Sequence, residues 1–266
     1  MLLKREGNSI GFVPTMGALH EGHVSLLEQA KKQNNITVAS IFVNPTQFNN
    51  KEDLINYPRT PDTDLKLLKT KGCDIVFMPN EKEMYPEPDL RVFSFGNLDK
   101  VMEGKHRPGH FNGVAQVVTK LFDIITPTRA YFGMKDFQQL AIIKRLVADY
   151  QYPVEIIACP TIREPDGLAL SSRNKRLSPD ERQHAALISK TLFWAQQTAS
   201  SMQITELKKA VTDTINNDPF LKVEYFEIVN DLTLQPIKTW QDAGGKVGCI
   251  AVNVGKVRLI DNINFY

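Results

Sequence analysis

Short apolar runs alternate with helical spacing over the first two-thirds of the chain. Residues 10–14 and 36–43 are β-branched or aromatic runs that read as strands. Between them, 22–32 sets Val24, Leu27 and Ala30 near one face, the spacing of a helix. The same reasoning predicts helices over 61–71, 112–125 and 136–150, and strands over 74–78, 130–132 and 154–158. In 112–125 the apolar side carries Val114, Val117, Val118, Leu121 and Phe122. Strands alternating with helices at this period predict a parallel sheet with helices on both faces. In such sheets the active site lies at the carboxyl ends of the strands, where the crossing loops emerge.

The pattern changes near Arg176. Ser178, Pro179, Asp180 and Glu181 make a strong helix start: a hydroxyl cap, a proline in the first turn, then acids against the dipole. Helices follow over about 179–200 and 204–217, then strands over 222–229, 246–253 and 256–259. Gly244-Gly245 and Asn253-Val254-Gly255 supply turns. The expected fold is therefore α/β. A Rossmann-like domain spans 1–175, and a smaller α+β domain spans 176–266.

Composition narrows the function classes. The 266 residues are 42% hydrophobic and 23% charged, enough apolar material for a sizeable core. A net charge of +2 argues against a broad nucleic-acid footprint, and no apolar run is long enough to cross a bilayer. Cys73, Cys159 and Cys249 form no Cys-x-x-Cys pair and read as buried thiols in a reducing compartment. The first fourteen residues lack the apolar core of a secretory peptide, so a cytoplasmic location is expected.

The chemistry starts at residues 14–23, PTMGALHEGH, between a strand and a helix. That position offers free backbone N–H groups and a positive dipole end, which suit a polyphosphate. Gly17 and Gly22 permit close backbone approach, and His20 and His23, three apart, project to one side. A zinc helix would need its second histidine four residues on, and the common glycine-rich nucleotide loops are absent here. Gly133-Met134-Lys135-Asp136 lies at a second strand-to-helix junction.

The His-x-Gly-His string is similar to the signature of the nucleotidyltransferase superfamily that includes class I aminoacyl-tRNA synthetases. The longer 14–23 string resembles the pantoate–β-alanine ligase family. So do FVNPTQF (42–48), YPRTPDTD (57–64), RPGHFNGV (107–114), YFGMKDFQQL (131–140) and LSSRN (170–174), in the expected order. The resemblance implies ATP-dependent joining of pantoate to β-alanine through a pantoyl adenylate. It assigns ATP to Met16, Gly17, Ala18, Leu19, His20, Glu21, Gly22, His23, Gly133, Met134, Lys135, Asp136, Ile162, Leu170, Ser171, Ser172 and Arg173. Within that set His20, His23, Lys135 and Arg173 are catalytic, acting as cationic donors, with His23 the proton donor. Asp136 is the Mg²⁺ ligand, and Gln47 and Gln139 take the small substrates, with Asn44 in support. Arg107 and His110 face the acid or clamp their own loop. Residues 57–64 form a flap that excludes water. The family also implies a homodimer. Two rivals share part of the pattern: a nucleotidyltransferase that leaves the nucleotide on its product, and a synthetase-like RNA-binding protein.

Overall fold

In the computed structural model, residues 7–265 are described. Residues 1–6 of the segment read above for a leader, and residues 1–6 of the expected first domain, lie outside them. A five-stranded parallel sheet runs in the order β3-β2-β1-β4-β5. Its strands are β1 (Ile10–Thr15), β2 (Ile36–Ile41), β3 (Ile75–Phe77), β4 (Arg129–Gly133) and β5 (Glu155–Cys159). The described helices of this part are α1 (Glu21–Gln33), α2 (Lys51–Ile55), α3 (Pro61–Thr70), α4 (Glu81–Met84), α5 (Met102–His106), α6 (His110–Ile125) and α7 (Phe137–Asp149). The strand order reverses between β1 and β4. The loops leaving those two strands open a crevice at their carboxyl ends.

Helices cover both faces, as the alternation requires. Val114, Val118, Leu121 and Phe122 of α6 and Ile142, Ile143 and Leu146 of α7 pack with Phe12, Val38 and Phe132 on one face. Leu26, Leu27 and Ala30 of α1 and Leu68 of α3 pack on Val13, Ala39, Ile41 and Tyr131 on the other. Helix α6 begins two residues earlier than its apolar spacing indicates, because Gly109 takes a left-handed φ of 81° and turns the chain into the helix at His110.

The remaining chain forms α8 (Pro179–Thr198), α9 (Ile204–Asn216) and an antiparallel sheet of β6 (Leu221–Asn230), β7 (Lys246–Val254) and β8 (Val257–Phe265). Ser178 caps α8 in a reciprocal capping box with Glu181. Leu192, Leu207, Val211 and Ile215 close a second core over Phe226, Ile250 and Val252. Strand β8 runs six residues past its expected end at Leu259. Asp261, Asn262 and Asn264 break the apolar pattern, yet β8 stays paired with β7 throughout. Among the described residues, no helix is long and apolar enough to cross a membrane.

Candidate active site

Three strand ends and one hairpin converge on a cavity of about 220 Å³. Its wall includes Met16, His20, Gly22 and His23 after β1, and Gln47 on the turn after β2. Gly133, Lys135, Asp136 and Gln139 follow β4, and Ile162, Leu170, Ser171, Ser172 and Arg173 come from the hairpin after β5. Gly17, Ala18, Leu19, Glu21 and Met134 do not line it.

The turn into α1 explains that division. Gly17 and Ala18 both adopt positive φ, 80° and 50°. This reversal aims the N–H groups of Ala18 and Leu19 at Asp64, whose Oδ2 and Oδ1 accept them at 2.9 and 2.8 Å. Asp64 is only 2% exposed, in the first turn of α3, where the dipole favours a carboxylate. Two N–H groups expected to be free for phosphate are therefore bound inside the protein. Glu21 points outward and lies 3.8 Å from Lys71. Asp64 and the buried Tyr57 also pin both ends of the 57–64 segment.

The histidines are held by their own backbone. His20 is the N-cap of α1, and its Nδ1 accepts from Gly22 N at 3.1 Å. His23 Nδ1 accepts from His20 N at 3.3 Å, and the two rings stand 4.2 Å apart. A ring whose Nδ1 accepts must carry its proton on Nε2. Each imidazole can thus donate from Nε2. Burial, then the nearby Lys135 and Lys175, lower the pKa of His20 to about 4. Burial, His20 and the same lysines lower His23 to about 3. With pKa values lowered this far, both rings are neutral Nε2–H donors in the free protein near neutral pH.

The cations come from the other loops. Lys135 lies in a single 3-10 turn, 3.8 Å from the half-exposed Asp136 carboxylate. Arg173 lies over the Tyr57 ring, 5.7 Å from its centroid, and its Nη2 meets Asp53 Oδ2 at 2.7 Å. Arg176 takes the other Asp53 oxygen at 2.8 Å. Burial would raise the Asp53 pKa, but the two guanidinium groups override it and hold the carboxyl below its ordinary range. Ser171 Oγ caps the turn by accepting from Arg173 N, and Leu170 N bonds Ile162 O at 2.9 Å.

Gln47 is buried, its amide accepting from Asn44 at 3.1 Å and donating to Met16 Sδ at 3.2 Å. His110 Nδ1 meets the Gln47 carbonyl at 2.8 Å, and Arg107 reaches the same oxygen at 3.4 Å. Arg107 and His110 line a smaller adjoining cavity with Lys135, Asp136 and Gln139, and their bonds to the Gln47 carbonyl tie the start of α6 to the turn after β2. Gln139 lines the cavity with an amide that has no protein partner among the described residues.

A divalent cation can be tested against these donors. Asp136 offers one exposed carboxylate at the cavity wall, and no group of three or more metal-binding side chains occurs among the described residues. Mg²⁺ suits that setting, because it keeps waters and draws on substrate phosphates.

Sequence reasoning overlooked Asp53, Asp64, Arg163, Asp261 and Asn262. Only Asp64 carried a signal, as an acid in a first turn opened by Pro61.

Known proteins are similar to this chain in sequence and fold. The family model described as Pantoate-beta-alanine ligase matches residues 1–264. The pantothenate synthetase of Bacteroides thetaiotaomicron is 56% identical over 263 residues, covering 99% of this chain and 93% of that one. The crystal structure of pantothenate synthetase from Thermus thermophilus superposes with a TM-score of 0.92 at 44% identity, covering 97% and 94% of the two chains. A pantoate-beta-alanine ligase from Francisella tularensis, complexed with beta-gamma ATP and beta-alanine, gives 0.83 at 40% identity, covering 97% and 90%.

Proposed function

The chain belongs to the pantoate-beta-alanine ligase family, an ATP-dependent ligase family, and from that premise we propose how its residues divide the reaction. The pantoate carboxylate attacks the α-phosphorus of ATP, giving pantoyl adenylate and pyrophosphate. The β-alanine amine then attacks the acyl carbon, AMP departs, and pantothenate remains. A free carboxylate is a poor acyl donor, and the adenylate supplies a stable leaving group.

The first step builds charge on pyrophosphate. His20 and His23 meet it with neutral Nε2–H donors, Lys135 with an ammonium, Ser171 and Ser172 with hydroxyls, and Arg173 with a guanidinium. Preorganised donors of this kind are each worth roughly 2.7–4 kcal/mol. Arg173 then exchanges Asp53 for phosphate oxygens, and its planar fork fits two of them. Gly133, a residue where a Cβ would meet no atom within 4 Å, lets the nucleotide approach the backbone. Ile162 offers its backbone to adenine. Gln47, braced from behind, and Gln139, unpartnered, take the hydroxyls and carboxylate of pantoate, with Gln47 near β-alanine. Asp136 would hold Mg²⁺, which neutralises phosphate charge when bound.

The observation that carries this reading is the convergence of His23, Lys135 and Arg173 on one cavity from three separate loops. Two separate apolar cores support a division near residue 175, with the C-terminal part covering the site as a lid. A cytoplasmic location accords with three free thiols among the described residues. Homodimer assembly is the family expectation. The exposed Leu90 and Val92 offer it an apolar surface, and a monomeric mass at equilibrium sedimentation would exclude it.

The test is pantoate-dependent ATP–pyrophosphate exchange without β-alanine. The wild type exchanges, and His23→Ala loses at least about a hundredfold. Undiminished exchange in that variant removes His23 from its role. Amine-dependent release of free AMP separates this reading from a nucleotidyltransferase.

A further inference from the structure

Strand β8 carries two polar residues that its own core does not use. Val257, Leu259, Ile263 and Phe265 enter the C-terminal core. Asp261 and Asn262 interrupt them, yet they are only 4% and 8% exposed. Burying polar groups is costly unless they are bonded. Their bonds lead out of the sheet, to the two loops that reach the cavity. The Asn262 amide donates to the carbonyls of Met134 at 2.9 Å and Lys135 at 2.8 Å. Asp261 takes both guanidinium nitrogens of Arg163, at 2.6 and 2.9 Å.

Arg163 opens the hairpin after β5. It also donates to Gly167 O at 3.1 Å, and it bridges to Ala169 across the turn. The returning limb of this hairpin continues into Leu170–Arg173. Asp261 Oδ1 further accepts from the backbone N–H of Asn262 at 2.8 Å, which ties its carboxylate to the strand.

We infer that Asp261 and Asn262 are positioning residues for adenylate formation, setting the distance between Lys135 and the Ser171–Arg173 segment across the cavity. The inference rests on the phosphate-binding roles proposed above. Neither residue lines the cavity of the nucleotide loops; both line a smaller adjoining one of about 30 Å³ with Lys135, Asp136 and Gln139, and their bonds run to the loops that carry the phosphate-binding groups. Lys135 sits in one 3-10 turn, which has little internal hydrogen bonding of its own. Two donated bonds from Asn262 fix its backbone, and misplacement by about 1 Å can cost on the order of a hundredfold in rate. The C-terminal strand thereby becomes part of the nucleotide site.

The effect is specific to one half-reaction. Pyrophosphate leaves in the first, and the groups on both loops act on it. In the second, the amine displaces AMP after pyrophosphate has gone. Asn262→Asp keeps the shape but turns carboxylate oxygens toward two carbonyls. Asn262→Ala removes the donors without adding charge, and serves should the buried carboxylate prevent folding. Each variant is assayed for pantoate-dependent ATP–pyrophosphate exchange, and for pantothenate formation from supplied pantoyl adenylate and β-alanine. Exchange is expected to fall at least about tenfold, with the second step within about twofold of wild type. In a Lys135→Ala background, Asn262→Ala adds no further loss of exchange. Equal losses in both steps, or full exchange in a folded variant, overturn the inference. A wild-type protein without exchange overturns the reading of the site itself.

Discussion

A histidine serves a phosphate as a fixed donor only when its other ring nitrogen is committed. His20 and His23 meet that condition through backbone N–H groups on Nδ1. Their neutrality has a direct signature. Burial and neighbouring ammonium groups disfavour the imidazolium, so the pKa values lie below the ordinary 6.5, at about 4 and about 3. In the free protein, nitrogen-15 spectra are expected to show both rings as Nε2–H tautomers that do not titrate between about pH 8 and pH 5. A midpoint near 6.5 for either ring would refute the lowered pKa assigned to it.

At the scale of the element, the start of α1 puts function ahead of helix propensity. Gly22 lies in the first turn, where alanine would be favoured by up to about 1 kcal/mol. Its φ is unstrained, but a Cβ there would stand 2.8 Å from His20 Cε1 and 2.9 Å from Nδ1. Gly22→Ala is therefore expected to keep or raise the melting temperature while lowering pyrophosphate exchange at least about tenfold, by tilting the ring. Thermal unfolding measured beside exchange checks both halves. A stable, fully active variant would show that the ring's setting does not matter. Helix α3 does similar service for the loop before α1, since Asp64 occupies N–H groups that the strand-loop-helix pattern left free for a ligand.

Across the whole molecule, the buried histidines also govern acid stability. His20, His23 and His110 have folded pKa values of about 4, 3 and 4. Burial lowers each, and the unfolded chain takes up its protons first, near 6.5. Their stabilisation is complete above 6.5 and is lost as pH falls toward 4, by up to about 1.4 kcal/mol per pH unit for each. Glu103 differs. Burial would raise its pKa, but Arg258 and Arg107 bring it down to about 2, so its contribution holds above the unfolded 4.5 and fades as pH falls toward 2. It joins the two parts of the chain through Arg258, at 2.6 and 2.9 Å, and Tyr225. Urea unfolding should therefore weaken steadily from pH 7 to pH 5 through the histidines, before Glu103 responds. Equal midpoints at the two pH values would refute the assignment.

The sequence by itself determined the parallel sheet, its helices, the second α+β unit and the loops that carry His20, His23, Lys135 and Arg173. Each of these is written locally, in hydrophobic period, caps and short strings around a strand end. Tertiary structure alone decided how those groups are held and charged. Asp64, Asp53 and Asn262 lie 46, 120 and 127 positions from the residues they bind. No period or propensity links such partners. Burial depth, which sets whether an imidazole is charged, likewise exists only once the chain has closed around it. The polar end of β8 looked like the end of a strand because its buried bonds run to loops far back in the chain.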